Sequence, residues 1–129
     1  MKLPTSGDGR RTLPALTRSE LKHLQSSAGE AAALLKVLSN EKRLLILCTL
    51  AGGELSVSDL NARIPMSQSA LSQHLSKLRA QNLVTTRRDA QTIYYSSSSD
   101  AVLKVLKTLT EIYGEETAPA ERAAQRRTA

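Results

Sequence analysis

Apolar residues recur at alternating steps of three and four through Leu21, Leu24, Ala28, Ala31, Leu35 and Leu38, the seam of an amphipathic helix. Thr17 offers an N-cap hydroxyl, Glu20 a carboxylate three residues later, and Leu16 with Leu21 an apolar staple, so that helix is expected to begin there. Ser26, Ser27 and Gly29 weaken its middle. The same helix-start pattern returns twice. Leu55-Ser56 with Asp59-Leu60 opens a short helix that must stop before Pro65. Met66-Ser67 with Leu71 opens another, which runs to about residue 82 with Leu71, Leu75 and Leu78 inward. Ahead of both, residues 40–51 are apolar on almost every side from Leu44 to Leu50, which predicts a buried central helix ending at Gly52-Gly53.

The period then changes. Residues 83–88 and 92–95 are rich in β-branched and aromatic side chains and flank Asp89-Ala90-Gln91, which predicts a small antiparallel hairpin leaning on the helices. From Asp100 to Tyr113 the helical period resumes, with Val102, Val105, Leu106, Leu109, Ile112 and Tyr113 on one face. Residues 1–15 and 114–129 hold Gly, Pro and polar residues without periodicity and are expected to be flexible tails around one domain at 16–113. The expected fold is mainly α: a helix-turn-helix with a hairpin wing. Apolar seams on the first and last helices exceed what so small a domain covers alone, so Leu21, Leu24, Ala28, Val102, Leu106, Leu109 and Tyr113 are expected to form a homodimer interface.

Composition narrows the partners. The net charge is +6, and residues 1–40 and 67–98 each carry +3 while the remaining stretches are neutral, which favours a polyanion. With no Trp and no Phe, stacking platforms for single strands are poorly supplied. One Cys excludes an intrachain disulfide or a multi-thiolate metal site. No apolar run approaches the ~20 residues of a membrane span and no secretory signal order opens the chain, so a reduced, cytoplasmic setting is expected.

The helix that starts after Ser67 has an outward face of compact hydrogen-bonding side chains: Gln68, Ser69, Ser72, Gln73 and Lys77, with His74 and Arg79 at its margins. A helix-turn-helix uses such a face in the major groove, where donors and acceptors meet base edges, and its N-terminal N–H groups, near Ser67, meet a phosphate. Arg87 and Arg88 stand beside the hairpin turn and are expected to reach the DNA backbone. The competing readings are a merely solvated helix face and a protein-interaction module without DNA binding. Catalysis is not expected: Cys48 has no His near it in sequence, Asp59 belongs to a capping box, and no Gly-rich strand-to-helix turn offers an oxyanion hole.

Over about eighty residues, LLKVLSNEKRLLIL, ELSVSDL, MSQSALSQHLSKLRAQNLV and TTRRDAQTIYY together resemble the ArsR/SmtB family of dimeric winged-helix repressors. The resemblance implies that the helix after Ser67 is the recognition helix and Arg87 to Tyr95 the wing, that the first and last helices dimerise, and that a small inducer releases the protein from its operator; the two-fold symmetry of the expected dimer makes that operator an inverted repeat. Many members bind thiophilic metals through a Cys-Val-Cys pattern; here those positions are Ser56 and Ser58, poor donors for soft metals. Others use Asp and His along the last helix; Asp100 is present, but His23 and His74 are the only histidines. No metal and no cofactor are therefore expected. The chain most resembles the subgroup that senses reactive sulfur species or oxidants, in which one cysteine stands at the position of Cys48 and a second near the end of the last helix, here at or beside Gly114. A two-thiol bridge within one subunit is thereby removed. Cys48 is left as a one-thiol sensor or as core packing, with the inducer then something else or the switch lost.

Overall fold

The computed structural model describes residues 15–114, so the expected tails lie outside it apart from Ala15 and Gly114. Contacts divide the chain into two units, Met1–Leu34 and Leu35–Ala129, the boundary falling within the second helix.

In the first unit, α1 (Arg18–Ser26) begins with the capping box read from the sequence. Thr17 Oγ1 accepts from the Glu20 N–H at 3.1 Å, and Glu20 Oε1 accepts from the Thr17 N–H at 2.9 Å. The expected unbroken helix is interrupted at Ser27, and α2 spans Ala28–Leu38. Ser26 Oγ donates to the His23 carbonyl at 2.8 Å, while the Ser27 N–H is shared between the His23 and Leu24 carbonyls, both at 3.1 Å. A serine hydroxyl competing for a helix carbonyl in this way bends the ladder.

The second unit holds α3 (Glu41–Ala51), β1 (Leu55–Ser56), α4 (Val57–Arg63), α5 (Gln68–Ala80), β2 (Val84–Asp89), β3 (Thr92–Ser97) and α6 (Asp100–Tyr113). Four short polar side chains start its helices: Asn40, Ser56, Ser67 and Ser99 each accept a hydrogen bond from a backbone N–H three residues on. Ile46, Leu47 and Leu50 of α3, Leu60 of α4, Leu71, Leu75 and Leu78 of α5, Val84 of β2 and Val102 of α6 close into one core. At the end of α5, Asn82 turns left-handed at φ 61, and the Leu83 N–H reaches back to the Leu78 carbonyl at 3.0 Å. Asn tolerates that conformation, and the resulting Schellman-type stop sends the chain straight into the wing.

The sheet has three antiparallel strands in the order β1-β3-β2, one more than the expected hairpin. Leu55 pairs with Tyr95 and Ser56 with Tyr94, so the strand leading into α4 anchors the wing. Asp89 pairs with Thr92, leaving a two-residue turn in which Ala90 takes φ 56.

Two expectations about packing are corrected. Val102 is 0 % and Leu106 7 % exposed, so both belong to the protomer's own core and not to an interface with a second copy. The inward stripe of α6 packs on α3, and Leu103, at 41 %, is the exposed leucine of α6. Helix α3 is not buried on every side either: Leu45 and Cys48, three residues apart, stand on its open flank.

Candidate nucleic-acid interface

Helix α5 owes its orientation to three leucines. Leu71, Leu75 and Leu78 recur at steps of four and three and are essentially inaccessible to solvent. At ~100° per residue this fixes the opposite face outward. That face carries Gln68, Ser69, Ser72, Gln73 and Lys77, all exposed as expected from the sequence. Ser76 belongs to it as well, one turn beyond Ser72 and Gln73; stepping the helical period on from Ser69 would have found it. The first turn contains no acidic residue and the last contains Lys77 and Arg79. The surface therefore combines small donors and acceptors with a positive field.

Ser67 precedes this face and has a different task. Its Oγ accepts the Ala70 N–H at 3.1 Å and lies 3.3 Å from Ser69 Oγ, so it secures the helix start. His74 turns partly inward. Its Nδ1 is buried with no hydrogen-bond partner, and its pKa is held below the ordinary histidine value, first by burial and then by the charges of Arg43 and Lys77. The imidazole is therefore neutral at neutral pH. Arg43 is itself fixed at the start of α3, its Nε donating to the Val37 carbonyl at 2.7 Å.

The two wing arginines differ. Arg88 is exposed and makes no hydrogen bond or ion pair with another described residue. Arg87 is engaged: its Nη2 donates to Glu54 Oε1 at 2.8 Å and its Nε to Glu54 Oε2 at 3.0 Å, while its guanidinium lies 4.6 Å from the Tyr94 ring centroid. The hydrogen bond from Arg87 lowers the Glu54 pKa, and the same bond raises that of Arg87, so both stay charged. Sequence reasoning missed Glu54, because nothing local signals a partner thirty-three residues away.

Cys48 lies apart from these groups on the open flank of α3. Partial desolvation of its sulfur still raises the thiol pKa although the residue as a whole is exposed. Among the described residues, no group of three or more His, Cys, Asp or Glu side chains is arranged to hold a metal ion.

A protein-family model described as "Bacterial regulatory protein, arsR family" matches residues 40–86, from the cap of α3 into β2. The nodulation protein NolR of Rhizobium meliloti is 66% identical over 87 residues, covering 67% of this chain and 71% of that relative. The chain belongs to the ArsR family. The transcriptional activator HlyU of Vibrio cholerae is 46% identical to this ArsR-family chain over 93 residues, 72% of the chain and 86% of the relative. Among solved structures, the transcriptional repressor BigR of Xylella fastidiosa superposes with a TM-score of 0.70 at 37% identity, covering 76% of this chain and 97% of that one. NolR of Sinorhizobium fredii does so with a TM-score of 0.66 at 58% identity, covering 79% and 98%. The fold is thus that of the winged-helix ArsR/SmtB regulators, and the ArsR-family protein is a DNA-binding transcriptional regulator. These relatives are regulators and not enzymes. No helix among the described residues is long and apolar enough to cross a membrane.

Proposed function

We propose that this ArsR-family protein is a homodimeric repressor that binds an inverted-repeat operator in duplex DNA and leaves it when Cys48 is chemically modified. The observation that carries the DNA reading is the exposed, carboxylate-free polar face of α5 directly behind Leu71, Leu75 and Leu78. Gln68, Ser69, Ser72 and Gln73 read base edges in the major groove, the amide of Gln73 suiting bidentate pairing with adenine. Lys77 and Arg88 meet phosphates, the sequence-independent part of affinity. Ser67 sets the start of the reading helix, and His74 acts as a neutral, half-buried margin to it. A repressor named BigR among the structural relatives supports the direction of control.

Dimerisation rests on apolar surface left open in the protomer. Leu21 and Leu24 of α1 are 43% and 52% exposed, Ala28 at the start of α2 is exposed too, and Leu103 and Tyr113 leave apolar area on α6 beside the half-buried Leu109. A two-fold dimer covers such faces with a second copy and sets two recognition helices about one DNA turn apart.

Release by thiol chemistry is supported by the exposure of Cys48. Hydrogen peroxide takes the Cys48 thiolate to a sulfenate with loss of water; an organic persulfide transfers its outer sulfur to that thiolate and leaves as a thiol. Gly114 offers no second sulfur, so the product stays on one residue.

Selection of bound duplexes from a random-sequence pool tests the DNA reading, with an inverted repeat whose half-site centres lie about one helical turn apart as the expected product. A pool that enriches no duplex would reject it in favour of a protein-interaction module. For the switch, operator affinity is compared for wild type and Cys48→Ser before and after peroxide or persulfide, with intact-mass analysis of each sample. Loss of affinity in wild type alone is expected. A fully modified Cys48 with unchanged affinity would remove the switch and leave the repressor standing.

A further inference from the structure

Glu54 lies between Gly53 and β1, outside the pair of helices α4 and α5. The wing nonetheless converges on its carboxylate. Arg87 of β2 gives it two hydrogen bonds in the planar fork that guanidinium and carboxylate form best. Tyr94 of β3, which pairs with Arg87 on one side and with Ser56 of β1 on the other, stacks beneath the same guanidinium. Asp89 adds a further negative charge near it. One cation is therefore held by groups from the loop before β1, from β2 and from β3. Gly53 aims the carboxylate through a backbone turn at φ 142, a conformation that side chains other than glycine rarely adopt. Arg88, the next residue of β2 and so on the opposite face of the strand, has no such tether.

The consequence concerns sequence-independent affinity. Each phosphate contact raises affinity for every duplex alike and reads no sequence, whereas base contacts separate one sequence from another. We propose that Glu54 is a positioning residue that limits how tightly the wing binds any duplex: it holds Arg87 in the wing and so withholds that cation from phosphate, leaving Arg88 as the phosphate contact of the wing. The proposal rests on the reading of α5 and the wing as the duplex-binding surface. An exposed ion pair adds little to folding stability, so its effect is to be sought in binding.

The test titrates the full chain and three variants, Glu54→Ala, Arg87→Ala and the double variant, against a random-sequence duplex and a selected duplex over a series of salt concentrations. In Glu54→Ala, the released Arg87 steepens the dependence of log affinity on log salt by about 0.9 and raises random-duplex affinity about fivefold near 0.15 M salt. Selected-duplex affinity rises by the same factor, so the selected-to-random ratio stays at its wild-type value. Arg87→Ala keeps the wild-type slope, and the double variant returns to it. A purely structural pair would change the melting temperature and leave the slope alone. An unchanged slope in Glu54→Ala overturns the proposal, and so does a slope reduced by about one in Arg87→Ala. A double variant that stays as steep as Glu54→Ala also overturns it, because the carboxylate would then act only by repelling DNA. Absence of salt-dependent duplex binding by the wild-type chain is a separate failure, that of the DNA reading itself, and takes the proposal with it.

Discussion

Val102 is the position where the structure departs most usefully from the pattern of apolar residues. It lies in the α6 stripe that the sequence offers as an interface, yet it is fully inaccessible within one protomer. Val102→Ala removes two methyl-sized groups, worth ~0.8 kcal/mol each in transfer, or ~1.6 kcal/mol together. If the site does not collapse, the cavity adds about 1 kcal/mol, for an expected loss of about 1.6 to 2.6 kcal/mol. Urea unfolding followed by circular dichroism measures that loss, and sedimentation equilibrium of the folded variant measures self-association. The unfolding free energy should fall while the dimer dissociation constant stays at its wild-type value. Weaker self-association with no loss of unfolding free energy would show that Val102 faces a partner and that the assignment to the core is wrong.

Gly53→Ala forces a side chain into φ 142 and should cost on the order of 1 to 3 kcal/mol although no atom lies within 4 Å of the added carbon; a neutral result in urea unfolding would mean the loop relaxes freely. His74 has a folded pKa below its ordinary value of 6.5, so the unfolded chain binds the proton more tightly. Its contribution to stability is complete above pH 6.5 and is lost as pH falls through the lower folded value, so thermal midpoints should drop below pH 6.5 in wild type and drop less in His74→Gln. Parallel pH profiles for the two proteins would refute that coupling.

Local chemistry was legible in the sequence, and long-range pairing was not. Thr17, Ser56 and Ser67 were readable as helix starts because a cap and its N–H acceptor site lie within one turn. The outward face of α5 followed from three leucines at helical spacing. The break at Ser27 was visible only as a weak point, since whether a serine hydroxyl bends a helix depends on which carbonyl it finds. Strand β1 escaped because two residues carry no periodicity; pairing with Tyr94 and Tyr95 defines them. The inward turn of Val102 and Leu106 and the open flank at Cys48 depend on where α3 and α6 meet. The Glu54–Arg87 fork depends on the whole hairpin folding back onto the loop after α3.

The claim that α5 reads sequence is tested most directly by Gln73→Ala, titrated against a selected duplex and a random one at matched salt. The expected outcome is a loss of about 1 to 3 kcal/mol on the selected duplex, with random-duplex affinity and its salt dependence unchanged. An unaltered selected-to-random ratio would contradict it.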